Sequence, residues 1–420
     1  MNFCERELKL LPKKNVNTKN NEKKRYIVLL KRKRIENRMT LEKLADGICT
    51  ASYLSRIENL LVDVDDSYYY RLFKKLNIDF DQLREEMHNE IFTEILKNHM
   101  KNDDEKVVDL ISKALKTNFY VDVEYDLMLL YDNIIKKMYT DARKLILDLN
   151  EKVEVLCENE LTFFLFLSTL YAYKTYQGRF AYKQIMILCE MDMVEPLFKY
   201  AVYDLALDIF EYVGNTEMFF KYYQLLNDES YLTSFSFNAL KHKAQYTYLA
   251  YQLSSMEVNS ALESIKSCLP KYYYDDVNLL ILKNYYRFEN YDEILNMLKC
   301  LPSTPFYLSF EAILNLIIDD KDMYSDFMER LKFCKFNQWE KHYEMLVNVC
   351  CILKRDGNAT LAFDELKKLL ELQFSTVNND FFINVELVIL TNVASRIRKF
   401  KEALALISLY LEKKMKILHF

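Results

Sequence analysis

Very little in this chain has the spacing of catalytic chemistry. Its five histidines, His88, His99, His242, His342 and His419, fall into no H-E-x-x-H or other metal-ligand pattern. There is no G-x-x-x-x-G-K-[ST] loop, no G-x-G-x-x-G turn and no G-x-S-x-G elbow. Paired acids at Asp65/Asp66, Asp275/Asp276 and Asp319/Asp320 sit at expected turns, where helix capping accounts for them. The residue types therefore read as non-enzymatic, with no cofactor and no metal.

The chemistry that the spacing does support is recognition. In MTLEKLADGICTASYLSRIEN, residues 39–59, Thr40 reads as the N-cap of a short helix at 41–45. Gly47 supplies a turn with positive φ, and Thr50 caps a second helix at 51–58. Leu54 and Ile57 share a face and should bury against Leu44 and Ile48. Ser52 and Arg56, with Ala51, Tyr53 and Ser55, are left for a partner. Small residues beside a forked cation suit a helix that enters the major groove of DNA. Arg56 could grip guanine with two hydrogen bonds, worth about 1–3 kcal/mol of discrimination, or instead clamp a phosphate or a neighbouring carboxylate. Thr40 and Thr50, at helix N-termini, are natural phosphate positions.

The elements around this stretch must position it. KRYIVLLKRKRIENR, residues 24–38, reads as a helix with Ile27, Leu30 and Ile35 on its apolar side and a dense cationic face. Lys31, Arg32 and Lys33 are candidate phosphate contacts, which add affinity without sequence information. Ser67 fits an N-cap for a helix at 68–76, and Asp79 one for a fifth helix through Met87. Residues 1–23 form a basic arm that either follows the DNA backbone or is merely solvated.

Charge is divided along the chain. Residues 1–78 hold 18 Lys/Arg against 10 Asp/Glu, leaving 39 against 52 for the remainder. A basic end on an acidic body is the footprint of a DNA reader joined to a regulatory part. Only 4 Gly and 5 Pro occur in 420 residues, too few for the tight turns of a β protein, so an all-α fold is expected. No apolar run has the length of a membrane span, and the N-terminus lacks a signal-peptide core. The nine cysteines are scattered, without a C-x-x-C pair, and read as buried, reduced thiols of a cytoplasmic protein.

L-A-x-x-I-C-x-x-S-x-L-S-R-I-E, residues 44–58, resembles the Cro/cI-type (XRE) helix-turn-helix. Its spacing is most similar to that of the Rgg/PlcR-type peptide-pheromone-responsive regulators of bacteria. The resemblance covers about residues 24–87 and implies a five-helix head at 24–88 that binds promoter DNA. It also implies a structural ion pair between Arg34 and Glu58, a homodimer, and control by a short imported signalling peptide. Leu60 stands where the family commonly has glycine, and no proline follows.

Beyond residue 88, amphipathic helices pair up around polar turns near Asn102, Met138, Gly178, Gly214, Met256, Asn290, Lys321, Gly357 and Lys399. The recurrence is roughly 37 residues, near the 34 of tetratricopeptide repeats and below HEAT-type repeats. Gly178-Arg179-Phe180 and Asn290-Tyr291-Asp292 carry a tetratricopeptide-like turn signature, so residues 89–420 resemble a degenerate right-handed superhelix with one concave groove. An irregular helical bundle is the plainer alternative. Asn238, His242 and Gln245 form one polar stripe, and Asn284 with Arg287 and Asn384 with Thr391 recur on later helices. Amides of this kind can pair with a peptide backbone; the same stripes could be solvated outer faces. The expectation is a DNA-binding transcription regulator. Its rivals are a protein-interaction scaffold whose head no longer reads DNA, and a mobile-element repressor with a protein effector.

Overall fold

The computed structural model describes residues 19–418, apart from 60, 82–90, 117–121, 154–155, 157, 192, 194, 251–254, 319 and 356. Its described residues form 23 α-helices and no strand, with one 3-10 turn at Lys271–Tyr273 and one π-helical turn at Gln373–Val377. The chain divides into two compact units. One runs through Tyr171 and takes in Met191–Phe198; the other holds Ala172–Glu190 and everything from Lys199 onward.

The first unit begins with α1 (Lys19–Glu36), α2 (Leu41–Ala45), α3 (Ala51–Glu58) and α4 (Asp66–Lys75). Tyr26, Ile27, Leu29 and Leu30 of α1 meet Leu44, Leu54, Ile57, Tyr69, Leu72, Phe73 and Phe80 in one core. Helix α1 starts five residues before the expected position, so Lys19–Lys23 are helical and not part of an extended arm. Ile35, expected on the apolar side, is exposed, because the core contacts α1 only along its preceding turns. Asp65, not Ser67, caps α4: its carboxylate accepts the Ser67 N–H at 2.9 Å. Asp79 accepts the Asp81 N–H at 2.9 Å, as a cap would; the rest of the expected fifth helix, the arm up to residue 18 and Leu60 lie outside the described residues.

The first unit continues through α5 (Ile91–His99), α6 (Asp104–Lys116), α7 (Asp122–Ile135) and α8 (Tyr139–Glu151) into most of α9 (Glu158–Lys174). The second unit follows with α10 (Gly178–Glu190), α11 (Pro196–Val213), α12 (Thr216–Leu226), α13 (Glu229–Ser234), α14 (Ser236–Ala250) and α15 (Ser255–Ser267). Next come α16 (Tyr274–Arg287), α17 (Tyr291–Leu298), α18 (Pro305–Ile317), α19 (Lys321–Phe333) and α20 (Lys341–Arg355). The last three are α21 (Ala359–Leu372), α22 (Asp380–Ile397) and α23 (Phe400–Leu418). Helix α14 packs on α16 and α18 on α20, so the first helices of successive hairpins touch one another as well as their own partners.

One backbone device closes hairpin after hairpin. Asn102, Lys137, Tyr176, Gly214, Glu289 and Arg398 all have positive φ, and each follows a helix end. In each case the next residue's N–H reaches back to the carbonyl five positions earlier: Asp103 to Asn98, Met138 to Asn133, Gln177 to Ala172, Asn215 to Phe210, Asn290 to Tyr285 and Lys399 to Ala394. This is the Schellman stop, which satisfies carbonyls that the helix end would orphan. Only one of the six residues is glycine, so the others hold a conformation that disfavours a Cβ by about 1–2 kcal/mol each. The expected turns at Asn102, Met138, Gly214, Asn290 and Lys399 coincide with these stops, while Met256 lies inside α15 and the turn before Lys321 has no positive φ among its described residues.

Gly178 has a different duty from the turn expected of it. The left-handed residue there is Tyr176, and Gly178 opens α10. A Cβ on Gly178 would stand inside the van der Waals shells of the Val377 carbonyl and the Tyr212 ring. The start of α10 is thereby pressed against the π-helical turn, almost 200 residues later in the chain. Around this seam Tyr176 touches the rings of His342 and Tyr343, and Gly214 leaves room for the Asp380 carboxylate. Gly178→Ala is expected to cost about 1–3 kcal/mol by overpacking, read as a lower urea midpoint for the full chain.

Candidate nucleic-acid interface and inner polar network

The two threonines cap as the sequence suggests. Thr40 Oγ1 accepts the Lys43 N–H at 3.2 Å and Thr50 Oγ1 the Tyr53 N–H at 3.1 Å. Gly47 has φ of +74° and nothing within 4 Å of its missing Cβ, so conformation alone selects glycine at that turn. Leu54 and Ile57 are fully buried, with Leu44 in the same core and Ile48 packed at its edge. Helix α3 is further fixed to α1 by Arg34, whose Nε and Nη2 donate to Glu58 at 2.6 and 2.7 Å. The third arm of Arg34 donates to the Met39 carbonyl at 3.0 Å, in the loop that leads to α2. Losing Glu58 would leave a guanidinium with no acid in a nearly closed contact, a loss of about 1–3 kcal/mol or more.

With one side of α3 locked, the other is presented. Ser52 and Arg56, four apart, are exposed, and Ala51, Tyr53 and Ser55 flank them half-buried. Arg56 has no carboxylate partner among the described residues, so its fork is available to an acceptor from outside. The Tyr53 ring leans on that of Tyr68 at 5.8 Å, and the Ser55 carbonyl takes the Asn59 amide at 2.9 Å. On α1, Arg32 and Lys33 both pair with Glu36, at 2.9 and 2.8 Å, whereas Lys31 has no acid partner among the described residues. Such surface pairs are worth under about 1 kcal/mol, so phosphate could replace Glu36 with little loss.

The polar stripe on α14 is interior. Asn238, His242 and Gln245 are 4%, 1% and 7% exposed, neither a solvated outer face nor an open wall. They face α11, where Asp204, Asp208 and Glu211 share one side at spacings of four and three. Asp204 Oδ1 lies 2.7 Å from His242 Nε2 and accepts from Asn238 at 3.0 Å and from the Tyr231 hydroxyl at 2.9 Å. Asp208 accepts from Lys241 at 2.8 Å and from Gln245 at 2.9 Å, and Glu211 accepts from Lys283 of α16 at 2.7 Å. His242 Nδ1 faces Gln245 Oε1 at 2.7 Å, so both ring nitrogens lie against side-chain oxygens. Three carboxylates thus meet two ammonium groups and an imidazole. Burial alone would push Asp204 up, but Lys241 and His242 outweigh it and hold the carboxyl well below its usual range. Burial works against the Lys241 ammonium too, and Asp208 and Asp204 overcome it.

The other expected ligand residues scatter. Asn284 is buried and donates to Asn259 at 3.0 Å, and Arg287 is exposed beside the Phe288 ring. Asn384 is exposed and donates to Asp380 at 3.2 Å; Thr391, also exposed, donates to its own helix at Val388. Asp275 and Asp276 are not caps: Asp275 accepts the Tyr307 hydroxyl at 3.0 Å. Asp276 keeps a surface open to water, yet desolvation by the surrounding protein pushes its carboxyl up to about 6. Sequence reading passed over Asp204, Asp208, Glu211, Lys241 and Lys283. The available signal was acids at i, i+4 and i+7 of one helix, well past its first turn, where no N-cap can explain them. The thiols also differ from expectation: Cys350 is buried, but Cys268 and Cys300 are exposed. Among the described residues no group of three or more His, Cys, Asp or Glu could hold a metal ion.

An all-helical chain that presents a short, doubly capped helix from a cationic head has the form of a DNA-binding regulator. Residues 30–83 match the helix-turn-helix family model, which supports an XRE-type helix-turn-helix head of the kind found in DNA-binding regulators. Comparison with curated proteins and with solved structures finds no match. No described helix is long and apolar enough to cross a membrane.

Two outcomes test the polar network. Lys241→Met leaves buried acids uncompensated and is expected to destabilise the chain by about 3–5 kcal/mol, measured by urea denaturation. Glu386, fully buried on α22, has one oxygen bonded to Gln373 at 2.9 Å and the other without a partner; burial pushes its carboxyl up to about 8. Its folded value lies above its unfolded one, so the wild type loses stability as pH rises from about 4.5 to about 8. Glu386→Gln cannot ionise, so its melting temperature relative to wild type should rise between pH 5 and pH 8.5. A flat difference would show that Glu386 does not titrate in that window.

Proposed function

We propose that this protein is a sequence-specific, cytoplasmic transcription regulator, with its head on promoter DNA and its helical body controlled by a small effector. The observation that carries the DNA half is the presented face of α3. Ser52 and Arg56 stand clear of a helix whose other side is fixed by Leu54, Ile57 and the Arg34–Glu58 pair. Lys31, Arg32, Lys33, Thr40 and Thr50 would hold the phosphates and set the register, while Arg56 and Ser52 read base edges. A reading helix of this kind works on two half-sites when the protein is a homodimer.

For the effector, the resemblance to Rgg/PlcR-type regulators favours a short peptide, and a tetratricopeptide-like body would give it a groove. Arg287, Asn384 and Thr391 are open to such a ligand; Asn238, His242, Gln245 and Asn284 would act from behind, by holding the wall. The seam between α10 and the π-helical turn supports control by a change of curvature, since it joins distant hairpins through a few close contacts. An effector shifts that balance only if it binds one arrangement better than the other.

Anisotropy of a labelled duplex from the protein's own upstream region, at 50 and 200 mM salt, tests the head. Affinity should fall steeply with salt. Arg56→Ala should lower specific over non-specific binding by about tenfold or more, in line with about 1–3 kcal/mol for a bidentate contact. Salt-independent binding, or none to any duplex, would remove the DNA reading. Mass spectrometry of molecules released from the protein on denaturation tests the effector: a short peptide is expected, and a different class of molecule would replace it.

A further inference from the structure

The seam between α10 and the π-helical turn is closed around a carboxyl that nothing neutralises. Glu386 of α22 has no exposed surface, and one of its oxygens accepts the Gln373 side-chain amide at 2.9 Å. The other oxygen has no hydrogen-bond partner. Gln373 opens the π-helical turn and is itself fully buried. Its side-chain oxygen accepts the Asn379 N–H at 3.4 Å, and its backbone carbonyl the N–H of the left-handed Asn378 at 2.7 Å. One glutamine thus ties both ends of the turn to Glu386. Four residues on from it, the Val377 carbonyl presses on Gly178 at the start of α10. A π-helical turn is a rare backbone form, found most often at functional positions.

Every element around Glu386 withholds a counter-ion. The turn, QFSTV, carries no charge. Tyr212 of α11 and Cys350 of α20 respond to the Glu386 charge, but burial pushes both up and keeps them neutral. His342 of α20 is also buried with both ring nitrogens unpartnered, and burial pushes it down to about 3. From α23, Lys413 stands over the Phe374 ring at 5.8 Å and Lys414 pairs with Asp380. From α21, Asp364 faces Lys399 at 3.8 Å. A buried carboxylate without a cation is costly enough that it must keep its proton or be reached by water.

We propose that the π-helical turn is a proton-controlled latch, closed on α10 while Glu386 is protonated and released from Gly178 when that proton is lost. The proton leaves from Oε2, the oxygen without a donor, and passes to the water that the opened turn admits. Gln373 moves with the turn, because it is the turn's own first residue. Burial raises the Glu386 carboxyl to about 8 from an ordinary value of about 4.5, so opening grows as pH rises between these limits and then levels off. His342 acts in the opposite sense, and only below its ordinary value of about 6.5, so the response to Glu386 stands clear above that pH. The latch goes beyond the control proposed above, since it needs neither DNA nor effector. Its success or failure leaves the reading of the head untouched.

Hydrogen exchange of the full chain, read by mass spectrometry at about pH 6.5 and pH 8.5 and corrected for the intrinsic pH dependence of exchange, tests it. Peptides covering residues 373–378 and 178–182 should lose protection together, by about tenfold between the two pH values. Helix α15 of the same unit, which packs in a separate core with α14 and α16, should keep its protection. Glu386→Gln cannot ionise and should abolish the pH response of both segments; Glu386→Met, which also removes the orphaned oxygen, should do the same. Gly178→Ala loosens the seam without adding a titrating group, so it should lower the protection of both segments already at pH 6.5. Protection that ignores pH, a loss shared equally by α15, or an unaltered response in both Glu386 variants overturns the proposal.

Discussion

The second unit depends on cancelling charge where little water reaches it. Asp204 and Asp208 sit in the middle of α11 and Glu211 in its last turn, among Leu205, Ala206, Leu207, Ile209 and Phe210, which are fully or almost fully buried; Asp204 is itself buried and the other two acids largely so. A carboxylate in such surroundings is tolerable only when a cation and hydrogen-bond donors meet it. Lys241 and Lys283 supply the charge, and His242, Asn238, Gln245 and Tyr231 supply the further polar contacts. An apolar core would allow α11, α14 and α16 to slide or rotate against one another at modest loss. A matched set of ions does not, because any shift leaves a charge without its partner. The network therefore sets the register of three helices.

The head uses the same physics at smaller scale. Arg34 reaches from α1 to both oxygens of Glu58 at the end of α3, and to the backbone that precedes α2. One guanidinium thus ties together the support helix, the loop and the reading helix. A flexible ammonium could not satisfy three acceptors in that plane. The exposed face of α3 inherits its orientation from this tie, and any affinity for DNA depends on how little ordering remains to be done on binding.

Much of the head was legible because its signals are local. Thr40, Gly47 and Thr50 act through their own backbones and immediate neighbours, so their types announce their roles. The hairpin stops were legible for a related reason: polar residues cluster where helices end, even when the left-handed position is taken by Lys, Tyr, Glu or Arg. The start of α4 was misread by two residues because Asp65, Asp66 and Ser67 are all good caps, and only the geometry chooses among them. On α14 the stripe of Asn238, His242 and Gln245 was found, but its environment was not. A polar stripe looks the same in sequence whether it faces water or the acids of a neighbouring helix.

Read as letters alone, the chain announces helix throughout its described residues, a helix-turn-helix at its basic end, and Ser52 and Arg56 on the side of α3 away from the core. These follow from periodicity, capping and charge, which act within a few residues. It took the folded arrangement to settle that Gly178 is small because Val377 and Tyr212 press on it, and that Lys241 and Lys283 are the counter-ions of α11. It also decided that Phe400, Leu404 and Leu411 lie on the outside. Each of these depends on which distant segment arrives as a neighbour. No local pattern encodes that, because the energy lies in contacts between residues tens to hundreds of positions apart.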